Sequence, residues 1–269
     1  MSKSFYKSKV VPKLIQSFQN VALKKSVEVW TTTCIVTNFG KIANGGNCHV
    51  LINPSNPELS GVKNFPYFPR GGPVPKESVK SMHKDWQPLG YVSNWGGMEV
   101  GNGMLYAVSV VDGLVHQLGG TRLEMECRVK GGFWTTEKCP VGTAVVTSPG
   151  GEQLKQHYDA IVHTTPPFYS HHSNPVENLK SCYREAFKAA FDLQTLRPRV
   201  ALPLIGAGAR GFPNDVAIEV AAYEAIHWRD SENDNSTEAC EKIVSFGIPE
   251  QSIADALVDA IRLQAEKVA

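Results

Sequence analysis

The sequence has no run of roughly eighteen uncharged apolar residues, so no helix of it is expected to span a bilayer. Nor does it carry an excess of one charge. Lys and Arg number 27 against 26 Asp and Glu, a formal net charge of +1. That balance argues against a protein held to nucleic acid by its field, and Lys24-Lys25 is too short to make a basic patch. The cysteines Cys34, Cys48, Cys127, Cys139, Cys182 and Cys240 include no C-x-x-C pair, and there is no signal-peptide core. Reduced thiols in an intracellular protein are therefore expected. The eight histidines show no H-E-x-x-H spacing, and adjacent His171 and His172 cannot easily share one ion, so no metal is expected.

What is present is ordinary globular chemistry. With 42% hydrophobic and 20% charged residues, the chain is too apolar for disorder. Its 269 residues suffice to bury about 75% of the unfolded surface. The N-terminus carries Lys3, Lys7, Lys9 and Lys13, and its first acid is Glu28. An organelle transit peptide and an ordered arm over 1–26 both fit, which leaves the cytoplasm, the nucleus and the mitochondrion open.

Strand-like and helix-like stretches alternate from residue 27 onward. VEVWTTTCIV (27–36), CHVLINP (48–54), TAVVTS (143–148), DAIVHT (159–164), RVALPLI (199–205) and EKIVSF (241–246) read as strands. In 177–191, Leu179, Cys182, Tyr183, Ala186, Phe187, Ala190 and Phe191 form one apolar helical stripe, opened by Asn174 as N-cap and Pro175 as first residue. Further helices are expected over 217–226 and 253–261. Strands separated by such helices predict an α/β fold, a mainly parallel sheet covered on both faces. One stretch breaks the pattern. Residues 61–104 are rich in Gly, Pro and aromatics (Phe65, Tyr67, Phe68, Trp86, Tyr91, Trp95) and read either as a self-packed insertion or as a lid.

Three signals carry chemistry. GAGARG (206–211) follows the RVALPLI strand, and Pro213 precedes a helix. Such glycines let backbone N–H groups approach a phosphate at a helix N-terminus. The dinucleotide fingerprint also needs an acid at the end of the next strand, and EKIVSF runs into Gly247 instead; a diphosphate loop of another kind and a plain tight turn remain. In LINPSNPEL (51–59), Asn53 and Asn56 stand at a strand's carboxyl end, where parallel sheets place ligands but where Asn also simply forms turns. In VVDGLVHQLGG (110–120), Asp112 reads as the cap of a helix starting at Leu114, or as a carboxylate placed to activate a water.

Taken in order, these pieces resemble the macrodomains, a family that binds and processes ADP-ribose. The family's Asn-Ala-Ala-Asn strand end is matched by Asn53-Pro54-Ser55-Asn56. Val111-Asp112-Gly113 with His116, Cys139-Pro140-Val141-Gly142-Thr143-Ala144 and Ile161-Val162-His163-Thr164 follow, and Gly206-Ala207-Gly208-Ala209-Arg210-Gly211-Phe212-Pro213 closes the set. The resemblance implies a three-layer α/β/α macrodomain over 27–269, with a mixed, mainly parallel sheet and the insertion at about 61–104. It implies that the 206–212 loop and the loop before Asp112 clasp a diphosphate through backbone amides, that Asn56 bonds the distal ribose, and that Asp112 orients or deprotonates a water. Cys34, Ile35, Asn53, Gly113 and His116 join Gly206, Ala207, Gly208, Ala209, Arg210, Gly211 and Phe212 as expected ligand contacts. The implied activity needs no cofactor: hydrolysis of ADP-ribose from acidic side chains of mono-ADP-ribosylated proteins, or of O-acetyl-ADP-ribose. A non-catalytic ADP-ribose-binding module is the alternative. The chain departs from the pattern at Cys34, where the family places an adenine-binding Asp, and at Arg210, where it places an aromatic. Arg210 would stack on the ribose, pair with a phosphate, or be solvated. The residues just before Asp112, Ala107-Val108-Ser109-Val110, also lack the family's glycines.

Overall fold

The computed structural model describes residues 11–20, 25–41, 47–62, 110–130, 137–170, 172–193, 199–228 and 241–268, together with the backbone of 91–92 and 98–99. In chain order the elements are β1 (Lys13–Asn20), β2 (Lys25–Thr31), α1 (Ile35–Asn38), β3 (Val50–Pro54), β4 (Tyr91–Val92), β5 (Met98–Glu99) and α2 (Val111–Val129). They continue with β6 (Ala144–Thr147), α3 (Glu152–Lys155), β7 (Ala160–Thr164), α4 (Pro175–Phe191), β8 (Arg199–Leu202), α5 (Asn214–His227), β9 (Lys242–Ile248) and α6 (Gln251–Glu266). Seven strands form one sheet in the order β1-β2-β9-β8-β3-β7-β6. Pairing is parallel from β2 across to β7, and the edge strands β1 and β6 run antiparallel.

Strand parity splits the core in two. Val50 and Ile52 join Val162, Val200 and Val244 on the face covered by α4, α5 and α6. Leu51, Ile161 and Ala201 point the other way, onto Ile35 of α1 and Leu114, Val115 and Leu123 of α2. Both faces are dry, which is why these strands read as continuous apolar runs. Each fully buried Leu or Phe contributes roughly 1.5–3 kcal/mol. The α4 stripe is buried as expected from Leu179 to Ala190, with Asn174 at the N-cap and Pro175 in the first turn, although the Asn174 side chain makes no capping bond. The sequence reading of a three-layer α/β fold with a mixed, mainly parallel sheet therefore holds. Among the described residues no helix is long and apolar enough to cross a membrane.

Four expectations change. The strand expected over 27–36 stops at Thr31: Thr32 N–H bonds Ile248 O, and the Thr32 hydroxyl accepts the Cys34 N–H at 3.3 Å. That local bond turns the chain into α1 and overrides the β preference of the threonines. The segment read as an arm contributes β1 to the sheet. α2 begins at Val111 with Val110 at its N-cap, so Asp112 lies inside the first turn and does not cap the helix. It breaks at Gly120 (φ 58°), a left-handed value glycine adopts without strain, and the Gly119 carbonyl there accepts Gly151 N–H at 2.7 Å. Finally, β9 runs through Gly247 to Ile248, and Glu250 follows as the α6 N-cap. That acid lies about twice as far from the glycine loop as the roughly twenty residues the dinucleotide fingerprint requires. Of the expected insertion over 61–104, only Gly61, Val62 and the β4–β5 backbone are among the described residues; its aromatic cluster lies outside them, as do the residues just before Val110.

Candidate functional site

The carboxyl ends of β3, β7 and β8 lie side by side, the position at which parallel sheets hold their ligands. Asn53 and His163 are direct partners in the β3–β7 register. By parity both side chains leave the sheet on the α2 side, where the first turns of α2 present Asp112 and His116. Asn53 Nδ2 donates to Asp112 Oδ1 at 2.7 Å and lies 3.1 Å from His163 Nδ1. His163 Nε2 is 2.9 Å from Thr147 Oγ1. The other Asp112 oxygen accepts the Val62 N–H at 2.9 Å, and His116 Nε2 stands 3.6 Å from Oδ1. All five side chains, from Asn53 to Thr147, are at most 3% exposed. Burial holds the His163 pKa well below the usual histidine range, and His116 and Lys130 push in the same direction. A buried cluster of this kind is stable only when its members satisfy one another.

Asp112, His116 and His163 also bring ligand atoms within 4.8 Å of one another, a composition that could hold a cation. The Asn53 amide nitrogen already bridges Asp112 and His163, and both His163 ring nitrogens are engaged. A metal there would have to displace that amide.

The 206–212 loop follows β8 at the same end of the sheet. Gly206 (φ 91°) and Gly211 (φ 74°) take left-handed conformations. Phe212 N–H closes the loop onto Gly206 O at 3.2 Å, and Gly211 N–H bonds Gly208 O at 3.0 Å. A side chain on Gly208 would meet nothing within 4 Å. Arg210 is not a solvated side chain: its Nη2 donates to Ser55 O at 2.9 Å and its guanidinium lies 4.3 Å from the Phe168 ring centre. It thereby ties the loop to the ends of β3 and β7. Phe212 departs from its expected part as a ligand contact. It is fully buried beneath the loop, and the half-exposed Tyr169 covers it with ring centres 5.1 Å apart.

The remaining expected residues distribute as follows. Asn56 is buried and folds onto its own turn, accepting the Ser60 N–H at 3.1 Å and donating to Ser60 Oγ at 3.2 Å. Its second amide proton leaves capacity for a ligand oxygen. Gly113 is buried in the first turn of α2. Cys34 is the α1 N-cap and half-buried. Ile35 points into the core against α2, and its carbonyl accepts the Tyr158 hydroxyl at 2.6 Å. Three residues that sequence reasoning did not place at the site support it. Thr147 and His163 extend the Asp112 cluster, and the Tyr183 hydroxyl accepts the Ile205 N–H at 3.0 Å directly below the glycine loop.

Comparison with known proteins fits this geometry. The family model described as the Macro domain matches residues 101–221. A macro domain-containing protein of Listeria monocytogenes is 36% identical over 129 residues, 48% of this chain and 69% of that protein. The ADP-ribose glycohydrolase MACROD2 of Xenopus laevis is 35% identical over 115 residues, covering 41% of this chain and 24% of that protein. The structure of the Oceanobacillus iheyensis macrodomain with ADP aligns with a TM-score of 0.60 over 94% of this chain and 98% of the other, at 17% identity, a likeness of fold. The ordered strand ends, the glycine loop and these matches agree: the chain belongs to the macro domain family.

Proposed function

We propose that the protein binds ADP-ribose across the carboxyl ends of β3, β7 and β8 and hydrolyses an ester at its distal ribose. The substrates are mono-ADP-ribosylated acidic side chains or O-acetyl-ADP-ribose. The observation that carries this reading is a buried carboxylate, Asp112, fixed by Asn53 and the Val62 N–H at a strand-end site shared with the glycine loop. The loop's backbone N–H groups and the N-terminus of α5 supply favourable dipoles for a diphosphate, and Arg210 of the same loop is a cation held in place by Ser55 O. Cys34 and Ile35 lie toward the base end. Asn56 bonds the distal ribose, and Asp112 orients a water and takes its proton as the ester C–O bond breaks. The water's hydroxyl goes to one fragment and a proton to the other. One positioned carboxylate is worth about 10²–10⁴-fold, positioning and electrostatics supplying the rest. The name of the Xenopus relative supports hydrolysis, and the ADP in the Oceanobacillus structure supports the ligand class.

A second reading, a non-catalytic ADP-ribose reader, is favoured by the burial of Asp112 with both oxygens engaged. Each carboxylate oxygen has room for two donors, so a water can still join. The deciding experiment follows release of ADP-ribose from a protein mono-ADP-ribosylated on glutamate, and of acetate from O-acetyl-ADP-ribose. Wild-type turnover lost in Asp112→Ala with ADP-ribose binding retained supports the hydrolase. Binding without turnover in the wild type supports the reader.

A further inference from the structure

We infer that His163 is a positioning residue for Asp112, acting through the amide of Asn53; this rests on the hydrolase reading above. The argument starts from what each atom can donate. Asp112 Oδ1 only accepts, so the Asn53 atom 2.7 Å from it is the amide nitrogen. That same nitrogen faces His163 Nδ1 at 3.1 Å, so Nδ1 offers its lone pair and the ring proton resides on Nε2, donated to Thr147 Oγ1 at 2.9 Å. The ring is therefore neutral, in one tautomer. A proton on Nδ1 would set N–H against N–H. Around the ring, burial, His116 of α2 and Lys130 just beyond its end disfavour a charged imidazole, Asn53 of β3 and Thr147 of β6 bond its two nitrogens, and of these described groups the Asp112 carboxylate alone favours the charged form.

The Asn53 carbonyl oxygen shows why the ring matters. It is buried and has no hydrogen-bond partner among the described residues. No described residue grips that end of the amide, so its orientation rests on the two acceptors of its nitrogen, Asp112 and His163. Deleting the His163 acceptor frees the amide to rotate and lets the carboxylate shift. A displacement of about 1 Å at a catalytic group can cost about a hundredfold in rate.

The test compares His163→Phe, which keeps the bulk and removes the acceptor, with His163→Gln, whose side-chain oxygen faces Asn53 while its nitrogen faces Thr147. In the full-length chain, His163→Phe is expected to lower kcat by about 10–100-fold, with KM and ADP-ribose affinity within about threefold of wild type. His163→Gln is expected to restore most of kcat. Unchanged kcat in His163→Phe, proportional loss of binding, or failure of a folded His163→Gln to rescue would overturn the inference. Should His163→Phe not fold, the isosteric Thr147→Val carries the test, with a smaller loss in kcat alone expected. Ring ¹⁵N spectra of the wild type provide a readout independent of turnover: His163 must be the neutral Nε2–H tautomer near pH 7, and any other state overturns the assignment. If the wild type turns nothing over, the hydrolase reading fails by itself. The ¹³C resonance of the Asp112 carboxylate then decides: a shift in His163→Phe reversed in His163→Gln supports the coupling, and no shift refutes it.

Discussion

Replacing Asn53 by Leu tests the buried cluster through stability, with no substrate involved. Asn53 is fully buried, and its nitrogen serves a carboxylate and a neutral imidazole. A hydrogen bond to a charged group contributes about 1.5–3 kcal/mol and one to a neutral group about 0.5–1.5 kcal/mol. Against that loss stands a gain, since the substitution also removes the unpartnered Asn53 Oδ1, whose burial costs about 1–3 kcal/mol. Leucine keeps the branched shape and is larger than asparagine, so no cavity opens. The net expectation for Asn53→Leu is a destabilisation of about 1 kcal/mol, which for a domain of this size lowers Tm by roughly 2–4 °C. Urea unfolding followed by circular dichroism measures it, with an unchanged m-value showing that only the native state was altered. Combining Asn53→Leu with Asp112→Leu should cost less than the sum of the singles, by about 1–3 kcal/mol, because the carboxylate stranded in the first variant is gone in the double. Additive singles would refute the claim that these side chains hold one another.

Other expectations bear on the loop, the thiols and acid stability. Gly206→Ala should destabilise the fold by about 1–3 kcal/mol. Its φ is 91°, and the new Cβ would come within 3.0 Å of the Phe212 ring. Gly208→Glu should leave Tm unchanged and abolish ADP-ribose binding; normal binding by that variant would remove the loop from the site. Iodoacetamide at pH 8 should modify Cys34 ahead of Cys48, Cys127, Cys139 and Cys182 in native protein, read by peptide mass spectrometry. Burial pushes Cys48 and Cys127 up to about 12 and Cys182 up to about 11, and raises Cys139. ADP-ribose should protect Cys34 if the base end lies there. For acid stability, the depressed pKa of His163 means the unfolded chain takes up a proton, near pH 6.5, that the fold refuses. Stability is therefore complete above about pH 6.5 and declines below it, by up to about 1.4 kcal/mol per pH unit for that proton. His157, also lowered by burial, adds in the same direction, whereas the lowered Asp159 loses its contribution only as pH falls below its ordinary value of 3.8. A Tm that rises from pH 7 to pH 5.5 would contradict this sign.

The layers of the fold were legible because apolar runs and helical stripes report burial directly. Leu51 between Val50 and Ile52, and the α4 stripe from Leu179 to Ala190, needed nothing beyond periodicity. β1 was not legible: an edge strand whose residues are half-exposed or exposed reads like any polar arm. The end of β2 was missed because one hydroxyl, on Thr32, outweighs the β-branched character around it. The glycine loop and Asp112 stood out as motifs. Arg210 did not disclose its tie to Ser55, because its partner is a backbone carbonyl 155 residues away in sequence. His163 was visible as one letter of an apolar strand. Its placement beside Asn53 follows from parity and register, which exist only once β3 and β7 are paired. Phe212 shows the converse: next to a binding-loop motif it reads as a contact, yet the turn that the glycines permit folds its ring under the loop.

The central claim is that the strand ends between Asp112 and the 206–212 loop form an ADP-ribose site. Calorimetric titration of the purified chain with ADP-ribose, with NAD and AMP as controls, tests it most directly. Saturable one-to-one binding in the micromolar range or tighter, selective for ADP-ribose and abolished by Gly208→Glu, is the expected result. Folded protein that gives no heat with ADP-ribose, or that binds NAD or AMP equally well, would contradict the account.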